Sequence, residues 1–236
     1  MRATVKENTE VAKGTRMVVF DLQGAEVDFQ PGQYFFVNLI DPPYEDEKGP
    51  RRHFSVVTSP NQRGVLGFAT RIRDTAFKRS VAELEVGAEA DVEEPKGSYV
   101  LPEDTSRPYA FIAGGIGITV FRCMLTYIAE EGLDHRVTLV YSNRDRESTA
   151  FFEELQALDR EHDNLRVVFT MDEDPSWEGE SRRIDADLLR DHLNADLDGY
   201  VYLVAGPPGM VEGISEMLKE TGIPEDQILP DRFSGY

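Results

Sequence analysis

The hydrophobic pattern of the 236-residue chain changes period near residue 102, and this change constrains the fold more than any other feature. Up to residue 100, short apolar runs at 17–22, 34–40, 54–58 and 65–72 are separated by turn residues, the spacing of an antiparallel barrel or sandwich. Phe77, Val81 and Leu84 share one helical face within 75–84, and 88–92 alternates again as a strand. Beyond the polar linker 103–108, strand patterns at 109–113, 136–141, 165–169 and 200–205 alternate with helical patterns at 120–131, 149–160, 184–193 and 210–220. That alternation predicts a doubly wound α/β domain, a parallel sheet covered on both faces, with ligands at the carboxyl ends of its strands. The predicted domains are 1–104 and 105–236.

Charge narrows the partners. A formal net charge of -19 argues against nucleic acid, which needs a basic surface. Between Arg51 and Arg79, however, seven basic residues face one acid, Asp74. This basic island is either the seat of an anionic ligand or a solvated strand face. The longest apolar run, 109–121, is interrupted by Gly114, Gly115 and Gly117 and falls short of the roughly 20 residues of a membrane helix. The polar N-terminus has no secretory pattern, so a cytoplasmic protein is expected. The single cysteine, Cys123, forms no internal disulfide, cysteine zinc site or cysteine-ligated cluster, which leaves redox chemistry to an organic cofactor. On an apolar helix it reads as a buried, inert thiol. The histidines are scattered, so no metal site is predicted.

The strongest local signal is Phe111-Ile-Ala-Gly-Gly-Ile-Gly-Ile-Thr119, a buried strand entering a glycine-rich turn and then a helix. Such a turn either lets a diphosphate approach backbone N–H groups at a helix N-terminus or is simply tight. After the second strand of this half comes Tyr141-Ser-Asn-Arg-Asp-Arg146. Ser142 and Arg144, with Arg146, lean toward the 2′-phosphate of NADP(H), although Asp145 and Glu147 interleave and exposed arginines are often merely solvated. The turn Ala205-Gly-Pro-Pro-Gly-Met210 is either a ligand contact or a rigid strand-to-helix connection. In Arg52-His-Phe-Ser55, Arg52 suits a phosphate, Phe54 a flat ring and Ser55 a ring nitrogen.

Taken in order, PGQYFFV at 31–37, RHFS at 52–55, EPKGSYVL at 94–101, GGIGIT at 114–119, AGPPGM at 205–210 and DRFSGY at 231–236 resemble the ferredoxin-NADP reductase family of flavoproteins over nearly the whole chain. The resemblance implies a six-stranded flavin-binding barrel followed by a pyridine-nucleotide domain. It implies FAD, in preference to FMN, with NADP(H) or NAD(H) as substrate. Arg52 would contact the FAD phosphates, with His53 beside it, Phe54 would stack on the isoalloxazine and Ser55 would bond near N5. Thr70, Arg71 and Ile72 would follow the ribityl and adenosine side, Ala76, Phe77 and Lys78 the pyrophosphate, and Gly97 and Ser98 would cap the phosphates. Gly114, Gly115, Gly117 and Thr119 would hold the nucleotide diphosphate, with Gly206, Pro207 and Met210 beside the nicotinamide. Asp231 replaces a frequent glutamate near the flavin, and Tyr236 resembles a terminal tyrosine that stacks on flavin; with Ser55 these are the catalytic candidates. The chain departs from the family at Ala205, where cysteine is common, at Phe54, where tyrosine is frequent, and at Val120, where proline is common at the first helical position.

The implied activity is hydride transfer from NAD(P)H to flavin N5, then electron transfer to a ferredoxin, flavodoxin, oxygenase component or small oxidant. Two rivals stay open: a reductase that uses free flavin as a substrate, and a non-catalytic redox-sensing subunit. The surface carries few lysines, 6 against 19 arginines, and 44 acids, a composition read as suited to high salt, where carboxylate repulsion is screened. The thermal unfolding midpoint is therefore expected to rise from low to molar potassium chloride; a midpoint that stays level refutes this reading.

Overall fold

The computed structural model describes residues 1–193 and 196–233. They form two compact units, Met1–Leu101 with Arg122–Tyr127, and Pro102–Phe121 with Ile128–Tyr236. The first unit contains strands β1 (Arg2–Ala12), β2 (Thr15–Asp21), β3 (Tyr34–Leu39), β4 (Arg51–Ser55) and β5 (Val65–Arg71), helix α1 (Ala76–Glu83) and strand β6 (Glu89–Val92). They make one antiparallel sheet in the order β4-β3-β6-β1-β2-β5. Just past β4, Val57 donates its N–H to the Gly67 carbonyl of β5 (2.9 Å) and Gly67 donates to Thr58 Oγ1 (3.2 Å), so the two edges meet. This contact covers part of the β5 edge around Gly67. The expected six strands are present.

Two strands of this unit depart from the sequence reading. β1 has no apolar run, because register shifts between Val5 and Glu7 and between Glu10 and Ala12 break its alternation; only Ala3 and Val5 are buried. β4 begins at Arg51 instead of residue 54, since Arg51, Arg52 and His53 pair with Asn38, Val37 and Phe36. The core centres on Phe68, whose ring lies 4.1 Å from Phe54, 6.0 Å from Phe20 and 6.5 Å from Phe35.

The second unit contains β7 (Tyr109–Gly114), both ends of α2 (Ile118–Glu131), β8 (Val137–Asn143), α3 (Phe152–Glu161), β9 (Leu165–Met171), α4 (Ala186–His192), β10 (Val201–Gly206), α5 (Pro208–Glu220) and β11 (Ile228–Arg232). The sheet is parallel, in the order β11-β10-β7-β8-β9. All six residues of the central strand β7 are buried, as expected of a parallel strand covered on both faces. β11 escaped the sequence reading because it is short and contains Pro230; it pairs only with β10, and an edge position tolerates the missing N–H.

Two helix starts also differ. A 3₁₀ turn at Gly115–Gly117 runs straight into α2, so the helix opens at Ile118 and Val120 is its third residue, not its first. α3 opens at Phe152, because Ser148 and Thr149 donate their hydroxyls to the Asp145 carbonyl and hold residues 145–149 in a turn. Among the described residues no helix is long and apolar enough to cross a membrane. Phe68→Ala should cost about 3–5 kcal/mol in denaturant unfolding, since it removes the ring on which three others rest; a loss below about 1 kcal/mol would show that the centre lies elsewhere.

Candidate functional site

In the first unit, alternation along β4 turns Arg52 and Phe54 to the side of their β3 partners, Val37 and Phe35. His53 and Ser55 face the other way, with Phe36 and Tyr34, so the structure does not group them with Arg52. His53 lies 5.5 Å from both the Tyr34 and Phe36 rings, and partial burial, then Arg51, lowers its proton affinity. Phe54 is 5% exposed, with one face stacked on Phe68 at 15° and Phe77 at 5.7 Å. It therefore does not present an open ring.

Arg52 donates Nη1 to the carbonyls of Lys48 (3.1 Å) and Gly49 (2.9 Å) and lies 5.3 Å from the Phe77 ring. Phe77 and Lys78 stand in the first turn of α1, which Thr75 caps by accepting from the Lys78 N–H (3.4 Å). Lys78 is buried, and that burial, followed by Arg73, Arg52 and Arg71, pushes its amine down to about 8. A buried cation beside three others at a helix N-terminus could hold a polyvalent anion. This argues against a solvated face at this part of the basic island. Of the remaining candidates, Thr70 is buried in β5, Ile72 donates its N–H to Gly14 (2.7 Å), Ala76 opens α1, Gly97 packs against the Tyr34 ring and Ser98 is exposed.

In the second unit, the chain turns back across the sheet after β9, so the strand order reverses between β7 and β10. Two turns meet there. A Cβ on Gly117 would overlap the Ala205 carbonyl, a Cβ on Gly114 would overlap the Met210 sulfur, and Gly206 packs on the Gly114 backbone. Gly115, at φ +51°, faces open space. The Ile118 N–H that opens α2 bonds back to the Gly115 and Ile116 carbonyls and the buried Thr119 donates Oγ1 to the Ile116 carbonyl (3.0 Å), while no side chain caps the 3₁₀ turn itself, so a diphosphate would meet the helical segment at the turn that starts at Gly115. Pro207 is exposed.

Asp231 pairs with Ala205 across the parallel ladder, and burial raises its carboxyl above the usual range. Ser142, next to last in β8, is half-buried and Arg144 is exposed. Asn143 holds a buried Nδ2 without a partner among the described residues. Tyr236 lies outside the described residues. The sequence reading missed Arg73 as a neighbour of Lys78, and Glu153 and Asp174 as partners of Arg146. The signal for Asp174 was the acidic loop after the third strand of this half, whereas Glu153 stands in the first turn of α3.

Residues 2–100 match the oxidoreductase FAD-binding domain family and residues 111–216 the oxidoreductase NAD-binding domain family. The chain belongs to the ferredoxin-NADP reductase family. NADH-cytochrome b5 reductase 1 of Kluyveromyces lactis is 33% identical over 141 residues, 58% of this chain and 50% of that protein. The propane 2-monooxygenase reductase component of Rhodococcus jostii is 26% identical over 90% of this chain and 58% of its own length. The chain thus spans about half the length of these curated relatives. Among solved structures, the ferredoxin reductase in carbazole 1,9a-dioxygenase superposes with a TM-score of 0.82 at 26% identity, covering 99% of this chain and 69% of that one. The FAD/NAD-binding domain of a Vibrio cholerae nitric oxide dioxygenase reaches 0.85 at 20% identity, covering 98% of both chains, and shares the fold.

In this family member the Lys78 cluster could hold an FAD diphosphate, and the Gly115–Gly117 turn a nucleotide diphosphate. Lys78 supplies a sign-determined check. Its folded proton affinity, about 8, lies below the ordinary 10.5, so its charged form burdens the flavin-free protein most below pH 8. Stability should climb as pH rises from about 8 toward 10.5, by up to about 3 kcal/mol relative to Lys78→Met. Parallel stability curves for the two proteins over that range, measured by denaturant unfolding, would contradict the assignment.

Proposed function

We propose that this chain is an NAD(P)H-dependent flavoprotein reductase that passes electrons to a separate acceptor. The observation that carries this reading is the buried Lys78, near the half-buried Arg52 and Arg71 and the exposed Arg73 at the start of α1 in an FAD-binding domain. Bound FAD would supply the redox chemistry, accepting hydride from the nicotinamide and releasing electrons to the acceptor. The protein's part is binding, orientation and charge. Arg52 and Lys78 neutralise the flavin diphosphate, and the glycine turn Gly115–Gly117 that leads into α2 takes the donor diphosphate. Gly206, Pro207 and Met210 border the nicotinamide, and the raised carboxyl of Asp231 holds a proton more readily than an ordinary aspartate. An oxygenase component, a ferredoxin or flavodoxin, or a cytochrome of the b5 type is the acceptor this reading favours, in keeping with the relatives' names.

A second reading, in which flavin exchanges as a substrate, draws on Phe54. Its ring is stacked on Phe68, which leaves less aromatic surface to retain an isoalloxazine. One experiment separates the two readings. Anaerobic titration of the purified protein with NADH and, in parallel, NADPH should bleach a bound flavin spectrum, and Arg52→Ala should weaken flavin retention roughly 10- to 100-fold. A colourless protein that reduces added flavin supports exchange, whereas a flavin spectrum that neither nucleotide bleaches sinks the proposal.

A further inference from the structure

The loop between β3 and β4, residues 40–50, carries Asp41, Glu45, Asp46 and Glu47 directly ahead of the basic island. It is tied down at two places within the first unit. On α1, Ser80 Oγ accepts from the Tyr44 N–H (3.2 Å), the Tyr44 hydroxyl donates to Glu83 Oε1 (2.8 Å), and the Arg79 guanidinium lies 3.9 Å from the centre of the Tyr44 ring. On β4, Arg52 Nη1 donates to the Lys48 and Gly49 carbonyls and also to that of Arg51 (2.8 Å). The turn that presents the first two carbonyls is closed by the Gly49 N–H on the Asp46 carbonyl (3.0 Å) and by the Lys48 N–H on Asp46 Oδ1 (2.9 Å), with Gly49 at φ +65°. Closed in this way, the turn brings Asp46 Oδ1 to 3.8 Å from Arg52 Nη2, the two side chains being 33% and 21% exposed.

We infer that Asp46 competes with the flavin diphosphate for the Arg52 guanidinium, so that this one carboxylate sets how tightly the chain retains FAD. The inference rests on the proposed assignment of Arg52 to that diphosphate. Of the two terminal nitrogens of Arg52, Nη1 is taken up by backbone carbonyls and Nη2 faces Asp46. A carboxylate and a diphosphate are both anionic acceptors for a guanidinium, and they repel each other at close range, so the presence of one at Nη2 disfavours the other. A partly exposed pair is weak, which is why it can yield to a ligand of higher charge. The share of molecules in which Asp46 holds Arg52 is subtracted from the apparent affinity for flavin. Asp46 has two separable parts in this arrangement. Its Oδ1 supports the turn whose carbonyls fix the guanidinium, while its charge opposes the ligand. An asparagine keeps the acceptor oxygen and removes the charge. Glu47, the next residue, is exposed and carries the same charge, which makes it the natural control.

The test is the dissociation constant for FAD, measured by isothermal titration of the full chain stripped of flavin, in the unsubstituted protein, Asp46→Asn and Glu47→Gln at about 0.1 M potassium chloride. Asp46→Asn should bind FAD roughly 3- to 10-fold more tightly, and Glu47→Gln should stay within about twofold of the unsubstituted protein. In an Arg52→Ala background the same Asp46→Asn change should bring less than about twofold, because the group competed for is gone. An affinity that Asp46→Asn leaves level or weakens overturns the inference. Equal gains from Asp46→Asn and Glu47→Gln, or a full gain without Arg52, overturn it too, since they would trace the effect to the summed charge of the loop. None of these readouts needs turnover, so a bound flavin that neither nucleotide reduces counts against the reductase function alone. If no variant binds FAD, the flavoprotein reading fails, and inorganic pyrophosphate titrated in its place reads the anion seat by itself. A pyrophosphate dissociation constant lowered by Asp46→Asn then supports the competition, and one left level, or no binding at all, refutes it.

Discussion

The second unit depends on two turns meeting backbone to backbone, with Gly117 against the carbonyl of Ala205 and Gly206 against Gly114. No side chain fits between them. This contact lets β7 and β10 stay in register from Val201 and Tyr109 to Ala205 and Ala113. It also fixes the 3₁₀ turn Gly115–Gly117 and the start of α2 at the place where the strand order reverses, beside the sheet's carboxyl edge. A methyl group on Gly117 would push these strand ends apart and move the anion seat with them. The glycines read in sequence as making room for a ligand are therefore, at 114 and 117, first a condition of packing. Gly115 alone among the three faces open space.

The first unit is organised around a different constraint, the burial of positive charge. Lys78 cannot leave its position in α1 without unseating Phe77 and Val81, which anchor that helix in the core. Its ammonium is thus held beside three arginines, an arrangement that disfavours the flavin-free state and favours occupation by an anion. Binding strength is prepared by folding energy already committed to the aromatic core.

Much of this was legible in the sequence, for reasons that differ by element. Parallel strands buried on both faces leave continuous apolar runs, so β7, β8, β9 and β10 stand out, and α2 and α5 are long enough to show their period. β1 was hidden because bulges break its alternation, and β11 because Pro230 masks a short edge strand. The start of α3 shifted because Asp145 gathers the hydroxyls of Ser148 and Thr149. In the site, Arg52 and Lys78 were legible as members of one basic island. The separation of His53 from Arg52 follows from strand alternation, and the stacking of Phe54 on Phe68 arises from a strand that is distant in sequence.

The sequence by itself determined the division into a β unit and an α/β unit, the basic island within an acidic chain, and the glycine turns, because periodicity, composition and turn chemistry are local. Only the tertiary structure decided which charges are buried, which glycines touch backbone instead of ligand, and which arginines already have partners. Those depend on segments far apart in the chain: Lys78 with Arg52, Gly117 with Ala205, and Arg146 with Asp174. Coulombic and steric contacts act through distance in space, and the fold alone sets that distance.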